Sequence, residues 1–172
     1  VSEREPVQLA EAVDAALVAV DPPESTTVTV ADAVVLAADP DAFARLLENL
    51  LRNSIEHSGP DVTVRFARLT DGTAGGGSGD GSDTPGTGPE TRTETAQRRT
   101  DHAGFVYEDD GPGIDPSDRD RVFTPGFSTK TDGDGIGMGM ASVRQIVTAH
   151  EWSIRIADAE TLTGVRFEIR TD

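Results

Sequence analysis

The amino-acid sequence predicts an α/β fold: a two-layer sandwich in which three main helices cover one face of a mixed, mostly antiparallel sheet. Three observations lead there. Three stretches carry their apolar residues on one helical side, and several shorter ones alternate apolar and polar residues with a period of two. The two kinds are interleaved along the chain, with several short connections.

Leu9, Val13, Ala16 and Leu17 recur at helical spacing after Pro6, and Pro22-Pro23 ends that helix. Residues 26–30 and 34–37 read as two short strands around a turn. Asp39-Pro40-Asp41 opens the next helix, with Asp39 as N-cap and Pro40 at the first helical position. Phe43, Leu46, Leu47, Leu50, Leu51 and Ile55 form its apolar side as far as about His57, and Ser58-Gly59-Pro60 stops it. Val62, Val64 and Phe66 then alternate with Thr63 and Arg65 as a strand, and residues 104–108 read as its returning neighbour. A last helix is expected over 136–150, followed by strands at 153–157 and 164–170.

Residues 70–101 are dominated by Gly, Ser, Thr, Asp and Pro, a composition that cannot bury enough apolar surface to offset chain entropy. Core elements flank this stretch on both sides, so it reads as a flexible insertion between adjacent strands within one domain spanning 1–172.

The charge balance excludes several partners. There are 31 acidic residues against 15 basic ones, a formal net charge of -16, and Lys130 is the only lysine. Nucleic acid and anionic membrane surfaces are repelled by such a field. Self-repulsion of this size weakens a small domain unless salt screens it, and molar salt shortens the Debye length to about 3 Å. The composition therefore points to a halophile, with a cytoplasm filled with salt. With no cysteine, disulfides and thiolate metal sites are excluded. No apolar run approaches the roughly 20 residues of a membrane span, and a cytoplasmic location is expected. The chain starts at Val1 rather than Met, which reads as a piece of a longer protein.

Four motifs carry chemistry. In Glu48-Asn49-Leu50-Leu51-Arg52-Asn53-Ser54-Ile55-Glu56-His57, the two asparagines stand four apart and share one helical face. Taken alone, they are two solvated amides or a pair of polar ligands. Asp109-Asp110-Gly111-Pro112-Gly113-Ile114 follows an apolar strand directly, and its glycines permit a tight turn and close backbone approach to a flat ligand. Val122-Phe123-Thr124-Pro125-Gly126-Phe127-Ser128-Thr129-Lys130 sets two aromatic rings in a Gly- and Pro-containing loop, and those rings need burial somewhere. Gly133-Asp134-Gly135-Ile136-Gly137-Met138-Gly139-Met140 leads into the last helix, where backbone N–H groups and the helix dipole favour phosphate. The spacing is neither that of a dinucleotide fold nor that of a P-loop.

In order and spacing these motifs resemble the N box, first glycine box, F box and second glycine box of the histidine-kinase branch of the gyrase, heat-shock-90, histidine kinase and mismatch-repair ATPases. Thr163-Gly164-Val165-Arg166-Phe167 is similar to the family's final glycine-containing strand. The resemblance spans about residues 6–171 apart from the insertion and implies the Bergerat-type sandwich, ATP and Mg²⁺. It implies that Asn53 holds the metal through its carbonyl oxygen, and that Asp109 accepts from the adenine amino group. It also implies that Gly111, Gly113 and Ile114 border the base, and that Gly135, Ile136, Gly137, Met138, Gly139, Met140 and Thr163 line the nucleotide. Phe123 would anchor a lid over about 114–135. His57 reads equally as a phosphate contact or as a cation at a helix end, and Lys130 as a phosphate contact or a solvated lid residue.

Asn49 separates the branches. The hydrolases and serine kinases of this superfamily carry a glutamate there as general base, and an amide cannot take a proton at neutral pH. A neutral imidazole needs no such base. Asn49 therefore favours transfer to histidine, with Glu48, turned about 100° away on the helix, as the reserve base. Glu56 departs from the family, many of whose members carry Lys or Arg there. His150-Glu151 superficially resembles a phospho-accepting His-Glu pair but reads better as a carbonyl cap, and His102 reads as solvated. The implied partners are a dimeric helical domain bearing the acceptor histidine, outside this chain, and a response regulator. The competing expectations are an ATP-binding signalling module without transfer activity, and a same-fold hydrolase or serine kinase.

Overall fold

A computed structural model describes residues 3–70, 104–124 and 139–171. Among these the chain forms β1 (Glu5–Gln8), α1 (Leu9–Val20), β2 (Thr27–Val30), β3 (Val35–Ala38) and α2 (Pro40–Ser58). After these come β4 (Thr63–Leu69), β5 (Gly104–Asp109), α3 (Gly139–Ala149), β6 (Ser153–Asp158) and β7 (Val165–Arg170). Apart from Thr70, the expected insertion at 70–101 lies outside the described residues, as do 125–135 of the expected lid, Lys130 and Gly135 among them, and Ile136, Gly137 and Met138.

Five strands make the main sheet in the order β2-β4-β5-β7-β6. Among the described residues only β2 and β4 run parallel; the other pairs are antiparallel. The α/β sandwich with a mixed, mostly antiparallel sheet is thus as the sequence predicts. One local expectation is corrected, and one strand was not expected. The segments around β2 and β3 do not form a hairpin: β2 pairs with β4, and β3 pairs with β1 in a separate two-stranded sheet. β1 itself is too short and too exposed to leave a periodic signal.

α2 is the central helix. Asp39 caps it, its carboxylate accepting from the backbone N–H groups of Asp41 and Ala42 at 3.1 Å each. Phe43, Leu46, Leu47, Leu50, Leu51 and Ser54 form its buried stripe. These residues meet Leu9, Val13 and Ala16 of α1, Met140, Val143 and Val147 of α3, and Phe66, Phe105, Tyr107 and Phe167 of the sheet in one core. Phe43 stands edge-on to both Phe105 and Trp152. Among the described residues, no helix is long and apolar enough to cross a membrane.

On the sheet face turned away from this core, Glu108 of β5 and Arg166 and Glu168 of β7 carry charge. Glu108 is fully buried and accepts from the backbone N–H groups of Glu160, Thr161 and Leu162 at 3.0–3.1 Å. It also accepts from Arg166 at 2.7 Å, and Arg166 in turn donates to Glu168 at 3.1 Å. One carboxylate thereby fixes the whole loop between β6 and β7. Burial by itself pushes the Glu108 carboxyl up, but the Glu160 N–H, the Arg166 guanidinium and the other two N–H groups together hold it below the ordinary glutamate range. Burial likewise works against Glu168, and Arg155 and Arg166 outweigh it.

Both folded-state values lie below the unfolded value of about 4.5. Their stabilisation is therefore complete above that pH and is lost as pH falls through the lower folded values. Melting followed by circular dichroism in molar KCl is expected to be pH-independent near neutrality and to fall on the acid side. Glu108→Gln is expected to melt lower at neutral pH and to show a shallower acid dependence. An acid slope unchanged by this substitution would show that the loop does not depend on the Glu108 charge.

Candidate functional site

A cleft opens where the last two turns of α2 face the end of β5, the start of α3 and the start of β7. Among the described residues it is lined by Asn53, His57 and Ser58 of α2, Asp109, the segment Pro112-Gly113-Ile114, Val122, Met140 and Val165. The sequence reading placed Asn53, His57, Asp109, Gly113, Ile114 and Met140 in one site, and the fold brings all six together.

Asp109 forms the floor. It is the last residue of β5 and only 4% exposed. Its Oδ1 accepts from the backbone N–H groups of Gly111 at 3.1 Å and Val165 at 3.0 Å. Its Oδ2 accepts from the Ser54 hydroxyl at 2.6 Å. Ser54 Oγ also contacts the Tyr107 hydroxyl, which lies 2.9 Å from the Leu50 carbonyl. Tyr107 is fully buried, and desolvation holds its phenol far above the ordinary tyrosine range, so it stays a neutral donor. The sequence reading missed Ser54 and Tyr107. The available signal was Ser54 itself, a hydroxyl on the apolar stripe four residues after Leu50.

Backbone closeness explains two glycines. A Cβ on Gly164 would lie 2.2 Å from Oδ1 of Asp109 and 2.6 Å from its carbonyl oxygen. One on Gly111 would lie 1.8 Å from the Ser58 hydroxyl oxygen. Any larger residue at either place would push the carboxylate or the end of α2 out of position. The Gly164 N–H donates to the Asp109 carbonyl at 2.8 Å, tying β7 to the floor of the cleft.

Other predicted residues lie beside the cleft. Asn49 is half-buried one turn before Asn53 and is not among the lining residues, and Glu48 is 3.7 Å from Arg52 in an ion pair along the helix. Gly111 supports Asp109 rather than lining the cleft. Thr163 is exposed in the loop that Glu108 anchors and borders a neighbouring hollow with Pro112, Gly113 and Ile114. Phe123 packs on the core beside Phe167, its ring centroid 6.5 Å away, with the Arg144 guanidinium 5.7 Å from its centre. Gly139 begins α3. His150 is wholly buried and both ring nitrogens are engaged, which rules out the acceptor reading and bears out the capping one.

The donor set fits a nucleotide. A carboxylate offers about four acceptor positions, and the protein fills three on Asp109. Ile114, Val122, Met140 and Val165 supply apolar walls for a flat base. The Asn53 amide oxygen suits a hard cation. Among the described residues no group of three His, Cys, Asp or Glu side chains could hold a metal, so Mg²⁺ would have to share its shell with phosphate oxygens.

Comparison with known proteins places the fold in a family. Residues 38–172 match the family described as histidine kinase-, DNA gyrase B-, and HSP90-like ATPase. The sensor histidine kinase CpxA of Escherichia coli (strain K12) is 27% identical over 138 residues, covering 78% of this chain and 23% of that protein. The sensor protein PhoQ of the same strain is 40% identical over 77 residues, covering 44% of this chain and 16% of that protein. The chain thus spans less than a quarter of the length of either relative. The structure of the mycobacterial sensor histidine kinase MprB superposes with a TM-score of 0.63 at 26% identity, covering 96% of this chain and 95% of that one. The chain belongs to the histidine kinase-, DNA gyrase B- and HSP90-like ATPase family, and within it corresponds to the ATP-binding domain of histidine kinases.

Proposed function

We propose that this domain binds Mg²⁺–ATP in the cleft between Asn53 and Asp109 and transfers the γ-phosphoryl group to a histidine on a dimeric helical domain of the same protein. A response-regulator aspartate would then receive it. The observation that carries this reading is Asp109, a carboxylate fixed by three donors with one acceptor position left for the cleft. Such a group selects a base that presents an amino group at its edge. When bound, Mg²⁺ supplies charge neutralisation on the phosphates, and Asn53 would hold it there. The chain's own part is to position the nucleotide and to exclude water.

The residues beside Asn53 favour transfer over hydrolysis. Asn49 cannot take a proton, and Glu48 is turned toward Arg52. An imidazole attacks without such a base. One observation favours a second reading, an ATP-binding signalling module that has lost transfer: Glu56 stands exposed on α2 where many relatives carry a cation.

Two measurements test these readings. In calorimetry in molar KCl, chosen because the chain carries a net charge of -16, the domain is expected to bind Mg²⁺–ATP saturably. Asp109→Asn should weaken binding at least tenfold, and Ser54→Ala by about threefold to tenfold, the scale of one net hydrogen bond. A folded chain that binds no ATP would overturn the nucleotide assignment. With a separately produced helical acceptor domain, acid-labile and base-stable phosphate should appear on that partner. Binding without phosphohistidine would support the module reading, and rapid ADP release without an acceptor would support a hydrolase.

A further inference from the structure

His150 ends α3 in the core, far from the cleft, and its imidazole holds two helices together. Nε2 lies 3.0 Å from the backbone N–H of Asp39, the cap of α2, and Nδ1 lies 2.8 Å from the carbonyl oxygen of Ile146 in the last turn of α3. Because the Asp39 backbone N–H can only donate, Nε2 is the acceptor and Nδ1–H the donor; this one tautomer satisfies both partners. The ring is completely buried and lies against Trp152 at a centroid distance of 4.4 Å. Trp152 in turn stands edge-on to Phe43 in the first turn of α2. Beyond the imidazole, α3 closes with Glu151 in the left-handed region (φ 61°), and the Trp152 N–H donates to Val147.

The same two helices supply facing walls of the cleft, at their other ends. Asn53 is 14 residues from Asp39 along α2, and Met140 is 10 residues from His150 along α3. At 1.5 Å per residue these are lever arms of about 21 Å and about 15 Å. A change of about 5° at the clamp would move Asn53 by about 2 Å, and displacements of about 1 Å at reacting groups are enough to cost two orders of magnitude in rate.

We propose that His150 is a positioning residue of the nucleotide site: its imidazole, bonded to the Asp39 N–H and the Ile146 carbonyl, sets the angle between α2 and α3 and with it the separation of Asn53 from Met140. The inference rests on the nucleotide reading of the cleft for its consequence, but the geometric part stands without it. A purely structural imidazole would set stability alone. A clamp sets the geometry of the folded cleft as well.

The test compares His150→Phe, His150→Gln and Ile169→Ala, a control that removes core volume on β7 while leaving both hydrogen bonds of the clamp intact. His150→Phe keeps a flat ring but loses both hydrogen bonds. His150→Gln can place its amide oxygen near the Nε2 position and again accept from Asp39. All are assayed at a temperature where circular dichroism shows each to be folded. His150→Phe is expected to raise the Kd for Mg²⁺–ATP about tenfold, His150→Gln to restore it to within about threefold, and Ile169→Ala to lower Tm while leaving Kd unchanged. In the nucleotide-free chain, His150→Phe should also shift the amide resonances of Asn53 and Met140, which Ile169→Ala should not. The chain's single tryptophan, Trp152, reports independently, by a changed emission, that the ring stack has altered. Should the wild-type chain bind no ATP, the nucleotide reading falls and the amide resonances still decide the clamp. The proposal is overturned if His150→Phe lowers Tm but leaves the Asn53 and Met140 resonances in place, or leaves Kd within twofold of a binding wild type.

Discussion

The carboxylate of Asp109 is held from three directions by parts of the chain far apart in sequence. Ser54 reaches it from α2, Gly111 from the turn that follows β5, and Val165 from the start of β7. A buried carboxylate is costly unless its lone pairs are filled, so satisfying it imposes a spacing on all three elements at once. The absence of a side chain at Gly164, the seat of Ser58 beneath Gly111 and the Ser54–Tyr107 contact all follow from that one requirement. The same contacts that join these elements therefore also shape the floor of the cleft.

A second buried carboxylate works on the opposite face. Glu108, the neighbour of Asp109 on β5, points away from the core and gathers three backbone N–H groups of the loop leading to β7. Strand alternation gives these adjacent acids separate tasks: one shapes the cleft, and the other fixes the loop that ends at Gly164. His150 completes the frame at the far ends of α2 and α3. The cleft is thus bounded by elements anchored both beside it and remote from it, the condition under which side chains hold a ligand without reorganising.

Much of this was legible in the sequence, and the limits have physical causes. α2 announced itself through an unbroken apolar stripe, an Asp-Pro start and a Gly-Pro stop, all local signals. The cleft residues were legible because their spacing carries a resemblance that periodicity alone would not have supplied. β2 and β3 were read as strands in the right places, but the turn between them does not pair them: β2 finds its partner more than thirty residues on, in β4. Tyr107 reads as an ordinary core residue in an alternating strand, and Ser54 as a minor polar break in a stripe. Their meaning appears only when tertiary contact sets both hydroxyls beside Asp109. His150 was read correctly as a cap, but its second partner, Asp39, lies 111 residues earlier and no local pattern points to it.

The central claim is that Asp109 is a fixed acceptor that reads a donor on the edge of the base. The direct test is calorimetry in molar KCl with Mg²⁺–ATP and Mg²⁺–inosine triphosphate, which carry the same ribose and phosphates but place an amino group or a carbonyl at the position facing Asp109. A buried acceptor left without its donor discriminates by tenfold or more. The account predicts that ATP binds at least tenfold more tightly than inosine triphosphate. Equal affinities would contradict it and remove Asp109 from base recognition.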